Sequence, residues 1–117
     1  MRKTDKKIEN QLRITLMGAC EIASRQIIGF QWLTHLVDYS NFPRSLNVIC
    51  VLDTNENLDR FMTENRNNKL NDLIQEKLYE IDICINNIAN HILYDTEENC
   101  IINDNGKWTN RLANKSF

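Results

Sequence analysis

Two segments of this chain echo one another, and they carry the carboxylates with the most chemical promise. Leu52-Asp53-Thr54-Asn55-Glu56-Asn57-Leu58 and Tyr94-Asp95-Thr96-Glu97-Glu98-Asn99-Cys100 both read apolar-Asp-Thr-x-Glu-Asn-apolar. Each sits where a strand-like run hands over to a helix-like one. Aspartates at the ends of neighbouring strands could converge on one hard cation, which takes carboxylate oxygens. Around Mg²⁺, Asp53, Asp95 and Glu97, with Asp38 and Glu98 near enough to join, would polarise a phosphoryl oxygen and activate water. That is the chemistry of a metal-dependent phosphodiester hydrolase. No Asp/Glu-x-Lys tripeptide beside these carboxylates supplies a lysine for the developing charge. The same placement also has a structural use, and this is the reading the pattern favours. Asp or Thr caps the helix, and Glu or Asn reaches back from its first turn.

Other reactive side chains are sparse. His35 and His91 are the only histidines, and neither has partners at metal-ligand spacing. Cys20, Cys50, Cys84 and Cys100 lie too far apart for a CxxC-type zinc knuckle. Cys50 and Cys84 fall inside apolar runs, where free Cys acts as a small hydrophobe. A cysteine nucleophile paired with His35 or His91 is possible only on paper. There is no G-x-S-x-G elbow, and three glycines leave little room for a phosphate-cradling loop. Neither a metal nor a cofactor is expected.

Contact chemistry is better represented. Arg2, Lys3, Lys6 and Lys7 make the first turns basic, and residues 1–50 carry a net charge of +3 against −5 for residues 51–117. Such an end could touch phosphate, although a solvated helix start has the same composition. Phe30, Trp32, Tyr39 and Phe42 cluster near Arg44. Aromatic rings beside a cation can stack on bases or mark a protein contact, and rings of this kind are most often core. Phe42, in a loop, is the best surface candidate of the four.

The elements that would position these residues follow from periodicity. Ile8, Leu12, Leu16, Ala19 and Ala23 predict a helix over 4–24, capped by Thr4. Strands are predicted at 31–39 and 45–53, joined through the loop 40–44 as an antiparallel hairpin. Helices at 55–63 and 68–80 come next, then strands at 81–86 and 91–94 and a short helix at 96–103. Beyond Asn105-Gly106 the chain is polar, with Trp108 as its one large anchor. This order suits an α+β fold: a three- or four-stranded antiparallel sheet with helices packed mainly on one face, in a single domain spanning 1–117. An apolar fraction of 42% and a charged fraction of 26% argue against disorder. Asn is frequent but scattered, so it forms no low-complexity tract. No apolar h-region follows the start, and no apolar run approaches the ~20 residues of a membrane span. A cytoplasmic protein with reduced thiols is expected.

Several blocks together resemble one family. They are Met1-Arg2-Lys3-Thr4-Asp5-Lys6-Lys7-Ile8, Phe30-Gln31-Trp32-Leu33-Thr34-His35, Phe42-Pro43-Arg44-Ser45-Leu46, Cys50-Val51-Leu52-Asp53-Thr54 and Tyr94 to Cys100. The chain resembles, over nearly its whole length, small bacterial proteins often labelled Fis-family transcriptional regulators. The resemblance implies a bacterial cytoplasmic protein and carries over no catalytic or binding residue. A Fis-type DNA-binding end is a helix-turn-helix. The segment 105–117 has only Lys107, Arg111 and Lys115 as cations and is too short for two helices and a turn.

The expectation from sequence is therefore a non-enzymatic binding or regulatory module. It would act through a protein partner, through self-association as a homodimer, or through nucleic acid at its basic N-terminal end. Its contact candidates are Arg2, Lys3, Lys6, Lys7, Phe42 and Arg44. An outer strand, at 91–94 or 31–39, could pair across a two-fold axis. The alternatives are the hydrolase above and a purely structural subunit.

Overall fold

Leu12, Leu16, Ala19 and Ala23 recur every three or four residues, and they are the buried positions of helix α1 (Lys3–Gln26). The computed structural model describes residues 2–114. After α1 the chain turns at Gly29, whose φ is +85°. It enters strand β1 (Phe30–Leu36) and returns in strand β2 (Asn47–Leu52). Helices α2 (Asn55–Thr63) and α3 (Arg66–Tyr79) follow, then strand β3 (Ile92–Thr96), helix α4 (Glu97–Asp104) and helix α5 (Trp108–Ala113). Short 3-10 turns occupy Tyr39–Asn41 and Ile88–His91.

The class is α+β, as the element order predicts, but the sheet is mixed. Its strand order is β1-β2-β3; β1 runs antiparallel to β2, and β2 runs parallel to β3. The wholly antiparallel expectation fails because α2 and α3 carry the chain back across the sheet before β3 begins, which is the crossover a parallel pair requires. The strand expected at 81–86 is absent. That segment is irregular, with Ile83 and Ile85 buried and Cys84 exposed. Its alternation is real, yet its backbone joins no ladder.

Both faces of β2 are covered, and Val48, Ile49, Cys50, Val51 and Leu52 are all fully buried. Val48, Cys50 and Leu52 belong to the main core with α1, Phe61 of α2, and Leu70, Ile74 and Leu78 of α3. Ile49 and Val51 point to the other face, where their register partners on β1 are Thr34 and Trp32. That second face is reached by α5, a helix the sequence pattern did not announce. Left-handed turns at Asn65, Asn87 and Asn105 use the ability of Asn to adopt positive φ, so part of the Asn content has a local structural use.

Candidate functional site

The two echoing segments meet at one end of the sheet. Both parallel strands, β2 and β3, finish there, and Leu52 pairs with Thr96. The hydroxyl of Thr54 caps α2 by accepting from the Asn57 N–H at 3.1 Å. Thr96 does the same for α4, accepting from the Asn99 N–H at 3.0 Å. The caps then interlock. The Thr96 hydroxyl donates to Asn55 Oδ1 (2.7 Å), and Asn55 Nδ2 donates to Asn99 Oδ1 (2.9 Å). The Asn55 N–H donates to Glu98 Oε1 (2.7 Å), while the Glu98 N–H donates to the Asp53 carbonyl (3.0 Å).

The aspartates serve this clasp. Asp53 Oδ1 accepts from the Thr54 N–H (2.6 Å) and from Asn57 Nδ2 (2.9 Å). The Asn57 amide in the first place, with the Thr54 N–H, holds this carboxyl below the usual carboxylate range against the opposing effect of burial. Gly29 lies directly beneath. Its carbonyl accepts from the Asp53 N–H at 2.8 Å, and an added Cβ would collide with Asp53 Oδ1 and lie 2.8 Å from Asn57 Nδ2. Asp95 is buried, at 3% exposure. Arg111 grips it with two hydrogen bonds, Nε to Oδ2 at 2.6 Å and Nη2 to Oδ1 at 2.9 Å, and reaches Asp104 through Nη1 at 2.9 Å. Hydrogen bonding to Asp95 pushes the guanidinium further from deprotonation.

Glu97 has no ion-pair partner among the described residues. It accepts from two indole N–H groups, Trp32 at 2.5 Å and Trp108 at 3.0 Å, and the rings meet edge to face at 4.8 Å. Asp38, a further carboxylate considered for a metal, lies at the opposite end of the sheet. It follows Leu36, which pairs with Asn47 at the start of β2, and it caps its own 3-10 turn by accepting from Ser40. Among the described residues no group of three or more His, Cys, Asp or Glu side chains is arranged to hold a metal.

A polar cluster that sequence reasoning missed joins α1 to β1. His35 Nε2 lies 2.8 and 3.0 Å from the two oxygens of Glu9, and the Tyr39 hydroxyl donates to the same carboxylate. Burial works to raise the Glu9 carboxyl; the hydrogen bond from Tyr39, with the charge and hydrogen bond of His35, outweighs it and leaves the group below its ordinary value. Cys20 shares the groove beside this cluster. It sits eleven residues beyond Glu9 on the same helix, about 16 Å along the axis at ~1.5 Å per residue, so it stands far from the histidine's partner. Cys50 is buried, and burial pushes its thiol up to about 12. His91 is fixed through Nδ1 to the Leu46 carbonyl at 2.7 Å.

The expected contact residues divide. Arg2, Lys3, Lys6 and Lys7 are exposed around the start of α1, and Arg44 is exposed in the β1–β2 loop. Phe42 is half-buried, packs onto the core and lies 5.9 Å from the Tyr39 ring, so it anchors its loop more than it offers a free surface. Phe30 is core. At the other end of the chain, α4 and α5 are joined by Asn105-Gly106-Lys107, so two helices and a short turn do exist there once α4 is included. The six-residue α5 directs Trp108 and Arg111 into its own domain. Lys115 lies outside the described residues. No helix among the described residues is long and apolar enough to cross a membrane. Comparison with protein-family models, with curated proteins and with solved structures yields no match.

Proposed function

We propose that this chain is a small non-enzymatic binding or regulatory module that acts through a protein partner, a second copy of itself included. The observation that carries the reading is a contrast in occupancy. Asp53, Asp95, Glu97 and Glu98 are each engaged by donors of their own chain, whereas Arg2, Lys3, Lys6, Lys7 and Arg44 stand exposed with no ion-pair partner among the described residues. Self-association has a further support. β1 and β3 are the outer strands, and each leaves one row of backbone groups outside the ladder.

The second reading is a nucleic-acid contact at the basic end of α1, in keeping with the resemblance to Fis-labelled bacterial proteins. Its support is the four cations within the first turns, and its signature would be affinity that falls steeply with salt. The deciding experiment measures the mass of the purified protein by light scattering, with its ultraviolet absorbance ratio, at about 50 and about 200 mM salt. A dimer or a stable protein complex, free of nucleic acid at both salts, is the expected result. Nucleic acid retained at low salt and released at moderate salt would favour the second reading. Mg²⁺-dependent cleavage of a model phosphodiester, lost in Asp53→Asn, would overturn both in favour of a hydrolase.

A further inference from the structure

Away from the basic end, the last turns of α1 and the start of α3 bound an open cavity of about 560 Å³. That volume lies within the ~300–1,000 Å³ typical of small-molecule sites. One side is apolar, formed by Ile22 and Ile27 from the end of α1 and Leu70 and Leu73 from α3. The remaining wall carries Arg66, Lys69 and the Glu64 carboxylate. Arg66 is already paired with Glu64 at 2.9 Å, while Lys69 has no ion-pair partner among the described residues. The first turn of α3 holds no acid to answer Lys69, so Glu64 offsets only one of the two cations. The wall therefore keeps an excess of positive charge next to an apolar surface.

We propose that this cavity binds a small anionic amphiphile, with its alkyl body against Ile22, Ile27, Leu70 and Leu73 and its anionic head on Lys69 and Arg66. A medium-chain carboxylate is the simplest such molecule. The complementarity is twofold. Alkyl carbon removes apolar wall from water, and one negative head balances the uncompensated lysine. Ile22 lies fifteen residues beyond Lys7 on α1, about 22 Å along the axis at ~1.5 Å per residue. The site is thus independent of whatever the basic end contacts, and it stands if the macromolecular partner proposed above is never found.

The test titrates decanoate, below its micelle concentration, into the full chain while amide chemical shifts are followed by NMR. Saturable shifts confined to residues 22–27 and 64–73 are expected. Decanol should bind about tenfold more weakly, and so should decanoate to the Arg66→Gln/Lys69→Gln double variant, the size of one charge-assisted contact. Both substitutions fall on exposed side chains, and circular dichroism checks that the variant stays folded. No saturable binding of decanoate, shifts centred elsewhere, or equal affinity for the folded double variant would each overturn the proposal.

Discussion

Arg111 and Asp95 show how much of this molecule depends on single polar side chains. The carboxylate is buried, and the guanidinium that neutralises it comes from sixteen residues further along the chain. Arg111→Met would remove the two hydrogen bonds by which the guanidinium holds this buried carboxylate and should cost about 3–5 kcal/mol in urea unfolding. Adding Asp95→Asn to that variant should restore part of the loss, because the charge that Arg111 balanced is then gone. Asp53 sets a different expectation. Its folded-state pKa is depressed, chiefly by Asn57, so the stabilisation is complete above the unfolded value of ~3.9 and disappears as pH falls through the lower folded value. Asn57→Ala should cost about 1 kcal/mol at neutral pH. Between about pH 5 and pH 2 its unfolding free energy should fall less than that of the parent, since the variant has less of this stabilisation to lose. Parallel curves would separate Asp53 from the acid response.

Among the elements, the interlocked helix starts make the sharpest comparison. Thr54 and Thr96 perform the same capping task, but Thr96 is fully buried and also donates to Asn55. Thr54→Ala should cost ~1 kcal/mol. Thr96→Ala should cost more, by about 1–2 kcal/mol, because the half-buried Asn55 oxygen loses its donor. Equal losses in denaturant melts would show that the link between the caps contributes nothing. Capping was legible in the sequence because it is local: Asp-Thr-x-Glu-Asn contains both the cap and the groups that answer it. The partnership of the two caps was not legible, since it depends on β2 and β3 lying side by side in parallel. Strand direction is set by the crossover through α2 and α3, and alternation along a strand says nothing about it. The period-2 pattern at 81–86 misled for a related reason, as an irregular segment that covers a core buries every second residue just as a strand does. The contact of Glu9 with His35 and Tyr39 escaped notice because twenty-six residues or more separate the acid from its partners, and nothing near Glu9 marks it as different from other polar residues on α1.

At the scale of the whole molecule, the sheet has a thick side and a thin one. The main core packs α1, α2 and α3 on one face, and the C-terminal α5 touches the other through Trp108 and Arg111. Ending the chain after Gly106 should therefore lower the thermal midpoint markedly while leaving most of the far-ultraviolet helix signal, because α5 is only six residues of the helical content. An unchanged midpoint would mean that the thin side does not need its cover. The arrangement has an optical consequence as well. The chain has two tryptophans, and they are the two whose rings meet between β1 and α5 while sharing the Glu97 carboxylate. Its tryptophan emission is thus a built-in lamp for a single seam: if α5 lifts before the core melts, the colour of the light will change while the backbone signal is still that of the folded protein.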